Sequence, residues 1–599
     1  MARQADTASA ADIRNEKTGF RTVAQLFAIP LCVLLLFGCA RESGHDTSTE
    51  SEIYVPPALQ VDIAPQPLPD ALAPIVGKTP RELLLDHLTP PENTTGLLIR
   101  GAPVHPEALL PLYQGGDAGL LWTNRDAIYQ FLVALENIAD DGLDAADYHY
   151  PLLLKLTAQL ETMEKPPTGL LADLDLLLSD GLIRLADHLQ RGKIDPFSLD
   201  NDWKLDRPQL PQKLGTERMT AAIAAADITG LIDDLRPQSD LYQRLRRALA
   251  DYRSIAARGG WPQVPAGPAL KPGMTDARIV PLRQRLAATA DLDDASGDNP
   301  LFDEELEQAV KHFQARNSLP DDGIVGAKTL AALNEPVSER IRSLQVNLER
   351  ARWMLQTFPE RFVLVDLAGF RVQYLVGGHP VFSSRVQIGR IGRKTPLFKG
   401  DISYLVLNPT WTVPRSIFRK DLLPEIKANP DYLAEKKLRI LTPGSKEEIP
   451  ADSIDWTKYP QKRFPYILRQ DPGPQNAMGR IKFMLPNSRA IYLHDTPSKS
   501  LFDAETRAFS SGCIRVEHPF ELAERILESE EWDQAALQSV IESGEQKEVI
   551  LPKPIPVLFA YWTADVADDG SVIFKKDIYD KDKKVLNSLT SRFRIPPQT

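Results

Sequence analysis

Between Gly259 and Gly273 the chain runs Gly259-Gly260-Trp261-Pro262, then Gly267-Pro268, then Pro272-Gly273, a density of breakers that no helix or strand spans. This segment divides the chain into parts that fold around separate patterns. The length of 599 residues suggests roughly four domains at ~150 residues each. Upstream, apolar residues fall at helical spacing, as in Ile128, Phe131, Leu132 and Leu135, and again in Leu182, Leu185, Ala186 and Leu189. Residues 96–257 are therefore expected to be a helical scaffold, with turns at Asp140 to Leu143 and Gly192 to Pro196.

Downstream, residues 276–335 read as three short helices. One opens over Leu282 to Leu286, a second carries Leu306, Ala309, Val310 and Phe313, and a third spans Thr329 to Leu333 after the turn at Asp322-Gly323. Residues 336–585 begin with a helix from Val337 to Leu355 and then turn to strands. Phe362 to Val365 is a buried-type run, Phe370, Val372, Tyr374 and Val376 alternate up to Gly377-Gly378, and Val381 to Ile388 follows. Tyr404 to Leu407, Ala490 to Leu493 and Val557 to Tyr561 add further strands. Residues 417–483, charged and interrupted by prolines, read as an insertion that caps this region. The fold class is thus multi-domain α+β.

The ends and the charge set the surroundings. A formal net charge of -11 and the lack of a long Lys/Arg block argue against nucleic acid as a partner. In residues 1–39, Arg14, Lys17 and Arg21 precede an apolar run from Leu26 to Phe37, the layout of an export signal. That run falls short of the ~20 residues a spanning helix needs, although Thr22 to Ala40 leaves an uncleaved anchor open. Residues 40–95, with Pro56, Pro57, Pro65, Pro67, Pro69, Pro74 and Pro80, read as an extended tether.

Export makes the cysteines informative. Cys32 and Cys39 lie in the signal region, so the exported body keeps Cys513 alone and can form no internal disulfide. Such a thiol is either buried and inert or chemically useful. A thiol attacks a carbonyl as thiolate, which calls for an imidazole and for donors facing the developing oxyanion. His379 follows a turn and His518 precedes Pro519, whereas His494 ends the apolar run Ile491-Tyr492-Leu493. No sequence cluster suggests a metal, and no cofactor is expected.

Two stretches resemble known families. Phe302-Asp303, Ala309-Val310, Phe313-Gln314, Leu319, Asp322 to Gly326 and Thr329-Leu330 resemble the three-helix peptidoglycan-binding module of cell-wall enzymes. Ile491 to Thr496 followed by Ser510-Ser511-Gly512-Cys513-Ile514-Arg515 resembles the signature of the L,D-transpeptidases of the YkuD type. Gly389 to Gly392 with Thr395-Pro396, and Asn408 to Trp411, sit where that family has supporting segments. The whole is similar to its large Gram-negative members. Leu36-Phe37-Gly38-Cys39 resembles a bacterial lipobox, which implies lipidation at Cys39. By the same resemblance Ala40 is compatible with outer-membrane sorting.

The resemblance implies that Cys513 is the nucleophile and His494 the base, with backbone N–H groups of Ser511, Gly512 and Cys513 facing the oxyanion. Arg515 is expected to bind a substrate carboxylate unless it pairs with Glu517; Ser510, Tyr492 and Trp411 are further candidates for the cleft, each with a packing role as the alternative. Many members carry histidine where this chain has Ser511, so no imidazole role carries over to that side chain. The implied activity is formation of 3→3 cross-links between peptidoglycan stem peptides through a cysteine thioester, with carbapenems as inhibitors. A cysteine L,D-carboxypeptidase or endopeptidase, and a non-catalytic wall-binding lipoprotein, stay open. Expected partners are stem peptides and glycan, the membrane through the N-terminal lipid or anchor, and glycan polymerases or D,D-carboxypeptidases that prepare the donor. The expected location is the periplasm of a Gram-negative bacterium.

Overall fold

The computed structural model describes residues 79–89, 97–114, 119–199, 203–204, 212–293, 298–354, 359–445, 447–459 and 463–591. The segments expected to be an export signal, a lipidation site at Cys39 and most of a tether lie outside the described residues. Within the stretch expected to be tether, Pro80–Leu88 is instead a helix, α1. Pro80 occupies the first turn, where its missing N–H has no partner to lose, and Thr79 with Glu82 closes a capping box. Leu83, Leu84 and Leu88 are buried, which anchors the segment to the scaffold.

The scaffold is built around the long helix α2 (Thr168–Arg191), buried along most of its length. The helix α3 (Asp240–Ala257) packs beside the helix α4 (Val337–Met354), and α4 joins scaffold to catalytic region. Every residue from Val346 to Met354 is buried. Among them Arg352 is bonded to the scaffold side and Asn347 to the sheet side, while Arg350 pairs with Asp582 but leaves Nε and Nη2 without a hydrogen-bond partner among the described residues. Arg352 donates to the Asp141 carbonyl at 2.7 Å and to Glu349 at 2.6 Å, while Asn347 and Thr563 exchange bonds of 2.8 and 2.9 Å. One apolar core consequently runs through scaffold and catalytic sheet without a break.

The three-helix module has its own core, formed by Ile279–Ala287, Glu304–Arg316 and Ala327–Leu333. Gln314 ties Phe313-Gln314 to Asp322-Gly323-Ile324: its amide donates to Asp322 and to the Ile324 carbonyl at 2.8 and 3.0 Å, and accepts from Gly323 N–H at 2.8 Å. The module rests on the catalytic region, with Arg316 and Ser318 donating to the carbonyls of Val572 and Phe574.

The catalytic region is a strongly closed sheet. Its strands are β1 (Arg361–Asp366), β2 (Arg371–Val376), β3 (His379–Gly389), β4 (Leu397–Leu407), β5 (Ile481–Met484), β6 (Leu493–His494), β7 (Ala508–Ser510), β8 (Ile514–Val516) and β9 (Lys547–Ala560). The order β5-β6-β8-β3-β2-β1-β9-β4 returns to β5 by a β4–β5 pairing, and β7 adds to β3. Gly377 and Gly378 both take positive φ in the two-residue turn between β2 and β3, a conformation that favours glycine. β5 corrects the expected insertion, because Ile481 to Met484 belongs to the main sheet rather than to the cap.

The insertion itself has a third core, centred on Phe418, Leu422, Leu423, Ile426, Leu433, Ile440 and Leu468. It opens with the short strand Trp411–Thr412 pairing with Ile467–Gln470, before the boundary at residue 417 expected from sequence. Burial against β4 and β9 is not part of it.

Candidate active site

β6 and β8 lie side by side in parallel, with Leu493 opposite Ile514 and His494 opposite Arg515. Cys513 immediately precedes β8, and Ile514 N–H donates to the Tyr492 carbonyl at 2.9 Å. The two separated motifs of the sequence are thereby neighbouring strand ends. Lys482 on β5 stands opposite His494 from the other side, so Lys482, His494 and Arg515 form a row across three strands.

The thiol is half-buried and free. Burial raises its pKa above the usual value, against the opposing effects of the Tyr492 backbone N–H, Lys482 and Arg515. Sγ donates to the Ala490 carbonyl at 3.6 Å, and Ala490 takes φ of 54° to bring that carbonyl round. Among the described residues no hydrogen bond joins Sγ to His494. Such contacts often tighten only with substrate present.

His494 is buried, and its Nδ1–H donates to the Asp495 carbonyl at 2.5 Å, which leaves Nε2 as the basic nitrogen. Burial first, then the nearby Arg515 and Lys482 charges, push its pKa down to about 3, although the Asp495 and Met478 carbonyls oppose this. The resting pair is therefore neutral thiol and neutral imidazole. The arrangement suits a base that takes the proton during attack, rather than a preformed ion pair.

The loop before Cys513 is held from both sides. Ser510 Oγ accepts from Gly512 N–H at 3.0 Å and donates to the Cys513 carbonyl at 2.6 Å, while Thr395 Oγ1 donates to the Gly512 carbonyl at 2.9 Å. Gly512 has φ of 122°, and a Cβ there would meet Ile491 at 3.2 Å, so the loop requires glycine. Two expectations are corrected. Ser510 is buried and shapes the loop instead of facing the cleft, and Gly512 N–H is engaged by it and is not a free oxyanion donor. The N–H groups of Ser511 and Cys513 carry no hydrogen bond among the described residues.

Ser511 is exposed, and its Oγ accepts from Arg393 at 2.8 Å. Arg393 also pairs with Asp421 of the cap, 3.0 Å from Nη2 to Oδ1, and Arg390 reaches the same carboxylate at 2.8 Å. Burial pulls the Asp421 pKa up, but hydrogen bonds from Arg393 and Arg390 outweigh it and the net shift is downward. The cap is thus clipped to the catalytic loop through Arg393. Sequence reading missed this link, since isolated charges carry no periodic signal.

A cavity of about 380 Å³ lies between cap and sheet, lined by Trp411, Tyr432 and Lys436 on one side and by Thr496, Ser498 and Arg515 on the other. Glu517 pairs with Arg385, not with Arg515. Arg515 donates to Gln387 at 3.2 Å, its Nε is buried without a partner, and among the described residues no carboxylate neutralises it. Trp411 is half-buried and does line the cavity. Tyr492 serves as a platform, with the Lys482 ammonium 3.7 Å from its ring centroid. His518 and His379 are exposed and away from the thiol's contacts. Lys482 was not anticipated, though the alternation Ile481, Phe483, Leu485 against Lys482 and Met484 marks a strand.

A sheet that sets an unpaired cysteine beside a buried histidine, on a chain with a separate wall-module-like helical domain, is the class of cysteine enzyme that the sequence motifs suggested. Residues 360–542 match the L,D-transpeptidase catalytic domain of the YkuD family, residues 275–333 the family described as "Putative peptidoglycan binding domain", and residues 107–249 a scaffold domain. The chain thus carries an L,D-transpeptidase catalytic domain and a peptidoglycan-binding domain. A relative named "Putative L,D-transpeptidase" from Haemophilus influenzae is 36% identical over 244 residues, 41% of this chain. The chain spans about half the length of that relative, 49% of it. Among solved structures, an L,D-transpeptidase of Xylanimonas cellulosilytica aligns at 16% identity over 49% of this chain and 99% of its own, with a TM-score of 0.16. One from Stackebrandtia nassauensis aligns at 14% identity over 50% and 96%, with a TM-score of 0.19.

Proposed function

We propose that this protein is a peptidoglycan L,D-transpeptidase that forms 3→3 cross-links between stem peptides. The observation that carries the reading is the half-buried Cys513 thiol at the end of a strand paired with that of a neutral, buried His494, beside a cavity in which Arg515 has no acidic partner.

In the first step His494 Nε2 takes the thiol proton as Sγ attacks the carbonyl carbon at the L-centre of diaminopimelate in a tetrapeptide stem. The C–N bond to the terminal D-alanine breaks, the proton passes to the leaving amine, and a thioester remains. The N–H groups of Ser511 and Cys513 face the oxyanion, and Arg515 with Trp411 holds the donor. In the second step a side-chain amine of a neighbouring stem attacks the thioester, the C–S bond breaks, and Sγ regains a proton through His494. The cap keeps water from the thioester so that the amine prevails. The thiol and the donors supply this chemistry without a cofactor. The reading includes export to the periplasm, a lipid on Cys39 or an uncleaved anchor, and reliance on D,D-carboxypeptidases and glycan polymerases for the donor.

Incubating the full chain with tetrapeptide-bearing muropeptides and weighing the products tests the proposal. Cross-linked dimers, lost in Cys513→Ala, and a carbapenem adduct on the Cys513 peptide are expected. Trimmed monomers alone would assign a hydrolase, and unchanged substrate a wall-binding protein.

A further inference from the structure

Lys482 is the one cation in the row beside His494 for which neither a carboxylate nor a hydrogen-bond acceptor is found among the described residues. It is half-buried on β5, directly opposite His494, and its ammonium rests on the face of Tyr492, 3.7 Å from the centroid. A lysine placed so is desolvated without compensation from an acid, and an aromatic face recovers only part of the loss. The Tyr492 backbone is in turn bound to the strand that follows Cys513, so the platform and the thiol move as one.

We propose that Lys482, seated on Tyr492, is a positioning residue whose charge favours the thiolate of Cys513 and keeps His494 unprotonated. This rests on Cys513 being the nucleophile. The same charge acts with opposite sign on the two partners: it stabilises the anion forming on Sγ and disfavours a cation on the imidazole. Arg515 on β8 acts in the same sense, but it also reaches Gln387 and the cavity, which gives it a second task. Other groups facing this cluster do not duplicate Lys482. Tyr404 on β4 is a phenol, Arg393 is held by Asp421 and Ser511, and Lys394 donates to the Tyr579 carbonyl at 2.6 Å. In agreement, the Cys513 anion is the charge that opposes the fall of the Lys482 pKa caused by burial.

The test is the pH dependence of Cys513 alkylation by iodoacetamide in the full chain, read by mass on the peptide that contains Cys513. Alkylation needs the thiolate and neither stem peptide nor cross-linking, so its outcome is separate from that of the proposed activity. Lys482→Met is expected to move the midpoint upward and slow alkylation at neutral pH on the order of tenfold, about one pH unit. Lys482→Arg should restore most of the rate. Tyr492→Leu, which removes the platform and leaves the charge, should shift the midpoint in the same direction by less. A midpoint unchanged in Lys482→Met, or moved as far by Lys482→Arg, overturns the proposal. If Lys482→Met does not fold, an unshifted midpoint in Tyr492→Leu overturns it in its place.

Discussion

The scaffold and the capping insertion both touch the catalytic sheet, and they do so in opposite ways. The scaffold shares one continuous core with the sheet and is joined through α4, whose Glu349, Arg350 and Arg352 are fully buried. The cap keeps a core of its own and is held by the short pairing at Trp411 and by the partly exposed Asp421–Arg390–Arg393 cluster. Glu349 and Arg352 neutralise each other there and Arg350 pairs with Asp582, and parting such buried pairs is costly, so the first junction is rigid. Half-exposed ion pairs contribute little to stability, so the second is suited to a part that opens. The catalytic loop carries a serine of each kind: Ser510 is buried and bonded within the loop, and Ser511 is exposed and bonded to Arg393 of the cap's clip.

Breaking the rigid junction should have the largest effect. Asp141 is fully buried and accepts from Arg236 at 2.9 Å and Tyr242 at 2.8 Å, with its carbonyl bound to Arg352. Asp141→Asn removes the buried carboxylate shared by Arg236 and Arg246 and leaves the buried Arg236 guanidinium only the largely exposed Asp233. A loss of about 3–5 kcal/mol is expected in chemical denaturation, scaffold and sheet unfolding together. Early, separate unfolding of the scaffold would show that the shared core does not couple them.

The two serines sharpen the comparison at the loop. Ser510→Ala leaves Gly512 N–H buried without its acceptor and the Cys513 carbonyl without its donor. About 1–3 kcal/mol of stability should go, with a marked fall in Cys513 alkylation rate. Ser511→Ala removes one bond from an exposed hydroxyl and should change stability by under ~1 kcal/mol. Equal effects would mean that the buried bonds of Ser510 brace the loop no more than the exposed bond of Ser511 does.

How far the sequence reveals this division depends on the kind of signal. The three module helices and β2 follow from the spacing of apolar residues, because their burial is one-sided, and β1 follows from its continuous apolar run, because it is buried on both faces. β9 is legible only from Val557 onward, since Pro552, Pro554 and Pro556 disguise a strand whose register breaks between Ile550 and Ile555. α1 is hidden by the prolines around it, and β5 by the charged segment it ends. Cys513 and His494 stand out because each residue type is scarce here. Arg393, Asp421 and Lys482 do not, as a lone charge looks the same whether it is solvated or clips two parts together.

The smallest expected change in stability comes with the most specific change in chemistry. Asp421 is the cap's share of the clip, and Asp421→Asn keeps its shape while removing the charge that holds Arg390 and Arg393. Denaturation should shift by no more than about 1 kcal/mol, since both arginines can turn to solvent. The cap core contains neither arginine and should remain folded. What changes is how long the cap stays over the loop. Under the proposed mechanism the thioester is then less shielded and water should compete better with the acceptor amine, so the ratio of dimers to trimmed monomers falls while total turnover of Cys513 is kept. An unchanged ratio in a folded Asp421→Asn protein would place water exclusion elsewhere and make the insertion a fixed wall of the cavity, no more movable than the scaffold.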